Sequence, residues 1–127
     1  MNPVEDFFKS GSFAVVGATN RTDKWGYKVF KRLQKLGKTV YPIHPAIDEI
    51  EGVKVYKTLA ELKDKVEAVD IIVSPGVTEK IVEECLALGI KKVWMQPGAE
   101  SEKAVEFCER NGISVVYHDC VLKHPEY

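Results

Sequence analysis

Apolar residues fall along this chain in short continuous runs, separated by longer stretches with helical spacing. Phe13-Ala14-Val15-Val16 is such a run; it ends at Gly17 and predicts a buried strand. From Trp25 the period changes. Trp25, Val29, Phe30, Leu33 and Leu36 recur at helical spacing, while Lys24, Lys28, Lys31, Arg32 and Lys35 fill the other side. That pattern predicts an amphipathic helix stopped by Gly37. Further strands are expected at 38–43, 53–56 (the weakest), 68–73, 93–95 and 113–117. A short helix is expected from Thr58 to about residue 65, with Glu61 at capping-box spacing. Two more are expected at 78–88 and after Ser101, which stands as a cap, and a short one at 4–9 covers one end.

Six strands alternating with helices imply right-handed crossovers and a mostly parallel sheet. Continuous apolar strands fit a sheet covered on both faces. The expected fold is therefore α/β: a doubly wound, mostly parallel Rossmann-like sheet in three layers, α/β/α, with residues 1–127 as a single domain. Composition agrees, since 45% of the residues are hydrophobic and charged residues make up 29%. The charges nearly cancel, 18 Lys plus Arg against 19 Asp plus Glu, which argues against a general nucleic-acid binder. No apolar run is long enough for a membrane span, and the acidic start has no signal-like core. Cys85, Cys108 and Cys120 form neither a CxxC pair nor a disulfide framework, which points to the cytoplasm. The short chain has no second lobe for a substrate, so a self-sufficient ligase or dehydrogenase is not expected.

In a doubly wound fold, ligands bind beyond the carboxyl ends of the strands. Four strand-end loops therefore carry the candidate chemistry. In the first, Gly17, Ala18, Thr19 and Asn20 let backbone N–H groups and a helix N-terminus approach an anion closely, and Arg21 and Lys24 add positive charge. The second is His44-Pro45, a rigid turn whose imidazole would stack on a nucleotide or donate to phosphate. The third is Ser74-Pro75-Gly76, where turn chemistry alone explains Pro75 and Gly76 but does not single out Ser74. The fourth is Gln96-Pro97-Gly98. Gln96 directly follows apolar Val93-Trp94-Met95, so its amide needs a partner, either ligand or backbone.

Several sites are absent. The first loop carries Thr19 and Thr22 where the dinucleotide fingerprint needs glycine, and no acid ends the second strand, so NAD is disfavoured. No P-loop occurs. His118, Asp119 and Cys120 are adjacent on an extended segment and cannot all converge as a triad, and no clustered ligands support a metal. No catalytic residue is assigned, and Cys120 is read as a buried structural thiol.

Taken together, Val15-Val16-Gly17-Ala18-Thr19, Tyr27-Lys28-Val29, Val40 to Pro45, Gly52 to Tyr56, Val93 to Ala99 and Asp119-Cys120 resemble a family of small CoA-binding proteins. They are similar to the CoA-binding domain of the succinyl-CoA synthetase alpha subunit. The resemblance implies coenzyme A, or an acyl-CoA, as ligand. Gly17 to Asn20 would then meet the pyrophosphate, with Arg21 and Lys24 offsetting phosphate charge. Trp25 would wall the site, His44 and Pro45 would border adenosine, and Ser74, Pro75, Gln96, Pro97 and Gly98 would line the thiol end. The synthetase's phosphorylated histidine lies in a second domain, so the ligase reaction does not carry over. The expected function is a stand-alone module that binds, senses or carries CoA, with no nucleic-acid or membrane partner and with a protein partner or a second copy left open. The alternative is an NAD(P)-linked or acyl-CoA enzyme component completed by a partner.

Overall fold

The computed structural model describes residues 2–127. Five parallel strands form the main sheet: β1 (Ser12–Val16), β2 (Thr39–Ile43), β5 (Ala68–Ile71), β6 (Lys92–Met95) and β7 (Ser114–Val116), in the order β2-β1-β5-β6-β7. The three inner strands, β1, β5 and β6, are short and almost continuously buried, as strands covered on both faces must be, while the edge strands β2 and β7 are partly exposed. Alternate residues feed different cores. Phe13 and Val15 point to one layer, with Val29, Phe30 and Leu33 of α2 (Trp25–Gln34) and Phe7 and Phe8 of α1 (Pro3–Phe8). Ala14 and Val16 point to the other, with Val82 and Cys85 of α3 (Pro75–Ala87) and Ala104, Val105 and Cys108 of α4 (Glu102–Arg110). The result is the expected three-layer, Rossmann-like α/β fold.

The third expected strand does not join this sheet. Val53–Lys54 (β4) pairs antiparallel with Glu49–Ile50 (β3) in a separate two-stranded ribbon, and Tyr56 joins the main sheet through a parallel bridge to Ile43. The turn between them is Glu51-Gly52, with φ of 49° and 84°, the two positive values that a tight hairpin turn requires. Glu51 is fixed there by Tyr27 Oη at 2.6 Å and Lys31 Nζ at 2.7 Å, which tie the ribbon to α2.

Helix starts follow local chemistry. Ser101 Oγ accepts from Ala104 N at 3.0 Å and starts α4. The Thr58 helix is a single 3-10 turn, Leu59–Leu62, where the Glu61 carboxylate accepts from Thr58 N at 2.9 Å. Helix α3 begins three residues earlier than its periodicity predicts, because Pro75, read from sequence as a turn residue, occupies the first helical position.

Candidate functional site

The order β2-β1-β5 makes the chain reverse direction across the sheet between β1 and β5, and a crevice opens beyond their carboxyl ends. A cleft of about 830 Å³ occupies it. Its floor is Gly17 with Ile72 and Val73, and the loop that follows β1 supplies Thr19, Arg21 and Lys24. His44 and Pro45 close it from β2, and Ser74 and Val77 from α3. Eight of the residues picked from sequence thus stand around one space: Gly17, Thr19, Arg21, Lys24, Trp25, His44, Pro45 and Ser74.

Gly17 makes the cleft floor close-packed. Its φ is +98°, and a Cβ there would collide with the Ile72 carbonyl. Gly26 does the same for the helix: a Cβ on it would strike the Gly17 carbonyl. The start of α2 therefore lies against the β1 loop, the close helix-to-strand packing that the last glycine of a dinucleotide fingerprint serves elsewhere. Its spacing here hides it from a G-x-G-x-x-G search.

Two helices open on this cleft, and neither is capped by a side chain. Lys24 precedes α2 and Ser74 precedes α3, both in extended conformation and both without a side-chain bond to the first turn. The starts of α1, α4 and the 3-10 turn, by contrast, are held by Asn2, Ser101 and Glu61. The free N–H groups and positive dipole ends of α2 and α3 favour an anion in the cleft. Lys57 adds a third cation, which sequence reasoning missed; it is held by the Ile47 carbonyl at 2.7 Å and Asp48 at 3.0 Å. His44 Nδ1 accepts from Ala46 N at 3.0 Å, so a neutral imidazole keeps its proton on Nε2.

A second cavity of about 410 Å³ adjoins the first, sharing Trp25 and Ile72 with it. It takes in Gln96 and Pro97 from the fourth loop, and Cys120 and Leu122 from the segment after β7. Trp25, expected on the apolar face of α2, is 62% exposed instead. As the first helical residue its side chain leans back over the preceding loop, where it borders both spaces. Ala18 is buried, Asn20, Pro75 and Gly98 are exposed, and none of the four lines either space.

The partner of Gln96 is neither backbone nor a site residue picked from sequence. Its Nε2 donates to Asp70 Oδ2 at 2.7 Å, with both side chains buried. Asp70 Oδ1 and Gln96 Oε1 have no partner of their own. Burial pushes the Asp70 carboxyl well above the usual range, only partly opposed by the Gln96 hydrogen bond. A proton on Asp70 turns one of two facing acceptors into a donor and leaves a neutral acid–amide pair. The signal was an acid inside the apolar run of 68–73.

His124 Nε2 meets Asp119 Oδ2 at 2.8 Å, while Asp119 O accepts from Trp94 Nε1 at 2.9 Å. Cys120 faces the second cavity, while His118 lines a separate space with Glu100, Ser101 and Tyr117, so His118, Asp119 and Cys120 do not converge. Burial raises the Cys120 thiol and holds it protonated. Among the described residues no group of His, Cys, Asp and Glu could hold a metal, and no helix is long and apolar enough to cross a membrane.

The uncapped pair of helix N-termini lies at the switch point of a parallel sheet, where α/β domains of the Rossmann-like class bind their ligands. Residues 11–125 match the family model described as the CoA binding domain, and the chain belongs to that family. It is 31% identical over 118 residues to an ADP-forming acetate–CoA ligase of Methanocaldococcus jannaschii, with 87% of this chain and 17% of the ligase covered. It is 32% identical over 126 residues to the alpha subunit of acetate–CoA ligase (ADP-forming) II of Pyrococcus furiosus, covering 91% of this chain and 28% of the subunit. The chain thus spans less than a third of either. A solved structure of a conserved hypothetical protein from Pyrococcus furiosus superposes with a TM-score of 0.83 at 36% identity, covering 89% of this chain and 97% of that one.

Proposed function

We propose that this domain binds coenzyme A or a CoA thioester through its strand-end loops, as a module that carries or senses the ligand. The observation that carries this reading is the convergence on one cleft of two uncapped helix N-termini with Arg21, Lys24 and Lys57 beside them. A pyrophosphate and a ribose phosphate supply the acceptors and negative charge that suit such a corner. In this reading Gly17 and Thr19 meet the pyrophosphate, His44 and Pro45 border adenosine, and Trp25 walls the site. The pantetheine arm runs past Ser74 to Gln96 and Pro97. Family membership supports the ligand, and the Pyrococcus furiosus protein that the domain fills almost completely supports a module that works alone. The match to a ligase alpha subunit favours a second reading, a domain completed by a partner chain. Three free cysteines fit a reducing compartment such as the cytoplasm.

Thermal melts with CoA, NAD, NADP and ATP at matched concentrations test this. A ligand at about 100 times its dissociation constant adds ~2.7 kcal/mol of stability. CoA is expected to raise the melting temperature more than the others; a shift with NAD or NADP and none with CoA would overturn the reading.

A further inference from the structure

The cleft holds the cations, the free helix ends and most of the polar atoms, and it has room for a nucleotide. The second cavity has a different chemistry. Its walls are Trp25, Val29, Ile72, Pro97 and Leu122, and Cys120 contributes a thiol that is nine-tenths buried. Its polar members are Gln96, turned to Asp70, and Lys123, which is exposed to water. Burial pushes the carboxyl of Asp70, behind Gln96, toward its neutral form, and the cation that lines this space, Lys123, is exposed. The cavity is also the more enclosed of the two and opens beside the cleft at Trp25 and Ile72.

Size matters here. At roughly 30 Å³ for a water-sized group, the volume of about 410 Å³ takes on the order of a dozen non-hydrogen atoms. The cysteamine end of CoA, a nitrogen, two carbons and a sulfur, fills only part of it. The remainder is apolar and has no occupant from this chain.

We propose that this cavity receives the acyl group of a CoA thioester, and that the ligand is an acyl-CoA with an apolar chain of roughly four to eight carbons rather than free CoA or acetyl-CoA. This rests on the CoA reading above. The nucleotide is gripped by charge and helix ends in the cleft. The thioester passes Trp25, and the acyl chain lies against Val29, Ile72 and Leu122.

The test is isothermal titration of the protein with CoA, acetyl-CoA, hexanoyl-CoA and succinyl-CoA. Each buried methylene is worth up to roughly fourfold in affinity, so hexanoyl-CoA is expected to bind at least tenfold tighter than CoA or acetyl-CoA. Succinyl-CoA, whose carboxylate meets only the solvent-exposed Lys123 at this cavity, is expected to gain less than hexanoyl-CoA. In Leu122→Asp the ratio of hexanoyl-CoA to CoA affinity is expected to fall toward one, and a ratio is insensitive to any shared loss of binding. Equal affinity for CoA and hexanoyl-CoA, an equal gain with succinyl-CoA, or an unchanged ratio in Leu122→Asp would each overturn the acyl assignment while sparing the CoA reading. No binding of any CoA species would overturn both.

Discussion

Burial in the middle of β5, with Gln96 donating to one of its oxygens, favours the neutral acid form of the Asp70 carboxyl. The consequence for stability has a definite sign. An unfolded Asp titrates near ~3.9, and the folded carboxyl titrates well above that. Between the two values the native state keeps a proton that the unfolded chain has lost. The contribution is therefore fully present below about pH 4 and is lost as pH rises through the window up to the folded value. Asp70→Asn supplies a permanent donor in place of that proton. Urea unfolding at pH 8 is expected to find Asp70→Asn at least as stable as the parent, with the difference shrinking toward pH 4. A loss of more than ~2 kcal/mol at pH 8 would exclude the neutral pair. Gln96→Leu removes the partner and leaves a buried carboxyl unanswered, at an expected cost of about 1–3 kcal/mol. Asp70 was visible in the sequence as an acid among Ala68, Val69, Ile71 and Ile72, yet nothing local named its partner. The two residues are 26 positions apart and meet only because β5 and β6 are neighbours in the sheet.

At the scale of elements, the first loop and α2 act as one unit because Gly17 and Gly26 let them touch. Gly17→Ala forces a side chain into a positive-φ position and against the Ile72 carbonyl, and is expected to lower stability by about 1–3 kcal/mol. Gly26→Ala pushes the start of α2 away from the loop, so calorimetry is expected to show weaker CoA binding as well as a lower melting temperature. Arg21→Ala and Lys24→Ala leave that packing intact. They are expected to weaken CoA binding, more at 20 mM than at 500 mM salt, because both side chains are solvent-exposed and their attraction is screened within about 10 Å at ~0.1 M. Equal CoA affinity in both variants at low salt would remove these cations from the site. The elements themselves were largely legible, since period and caps are local properties. Ser101 capped its helix as its sequence spacing predicts, and every main-sheet strand stood as an apolar run. What failed was long-range. Residues 53–56 read as a strand, but their partner is Glu49–Ile50 through a Glu51-Gly52 turn, and a two-residue ribbon has too little apolar alternation to announce itself. Trp25 kept its helical phase but sits at the first turn, where a side chain leans off the helix rather than onto the sheet.

For the molecule as a whole, the three cysteines report how far the two faces of the sheet are coupled. Cys85 of α3 and Cys108 of α4 are fully buried in the layer away from α2, and burial pushes the Cys108 thiol up to about 12 and the Cys85 thiol higher still. Neither reacts as it stands, because the thiolate is the nucleophile. Labelling them requires this layer to leave the sheet. Cys120, on the α2 side and lining the second cavity, needs only the movement of one short segment after β7. In Ellman's reagent the expected order is therefore Cys120 first, with Cys85 and Cys108 following together at the rate of global opening. The cleft is built from both layers, α2 on one side and α3 on the other, so a ligand bound in it holds them to the same sheet. If opening is one cooperative event, S-methyl-CoA, whose blocked sulfur does not consume the reagent, at about 100 times its dissociation constant should slow the labelling of Cys85 and Cys108 roughly 100-fold. If the α3–α4 layer opens by itself while β1, the first loop and α2 keep the nucleotide, the slowing stays within a few-fold. The first result makes the cleft the joint between two layers of one cooperative unit; the second places its binding energy in the β1–α2 unit alone. Peptide mapping after timed labelling, with and without S-methyl-CoA, distinguishes them.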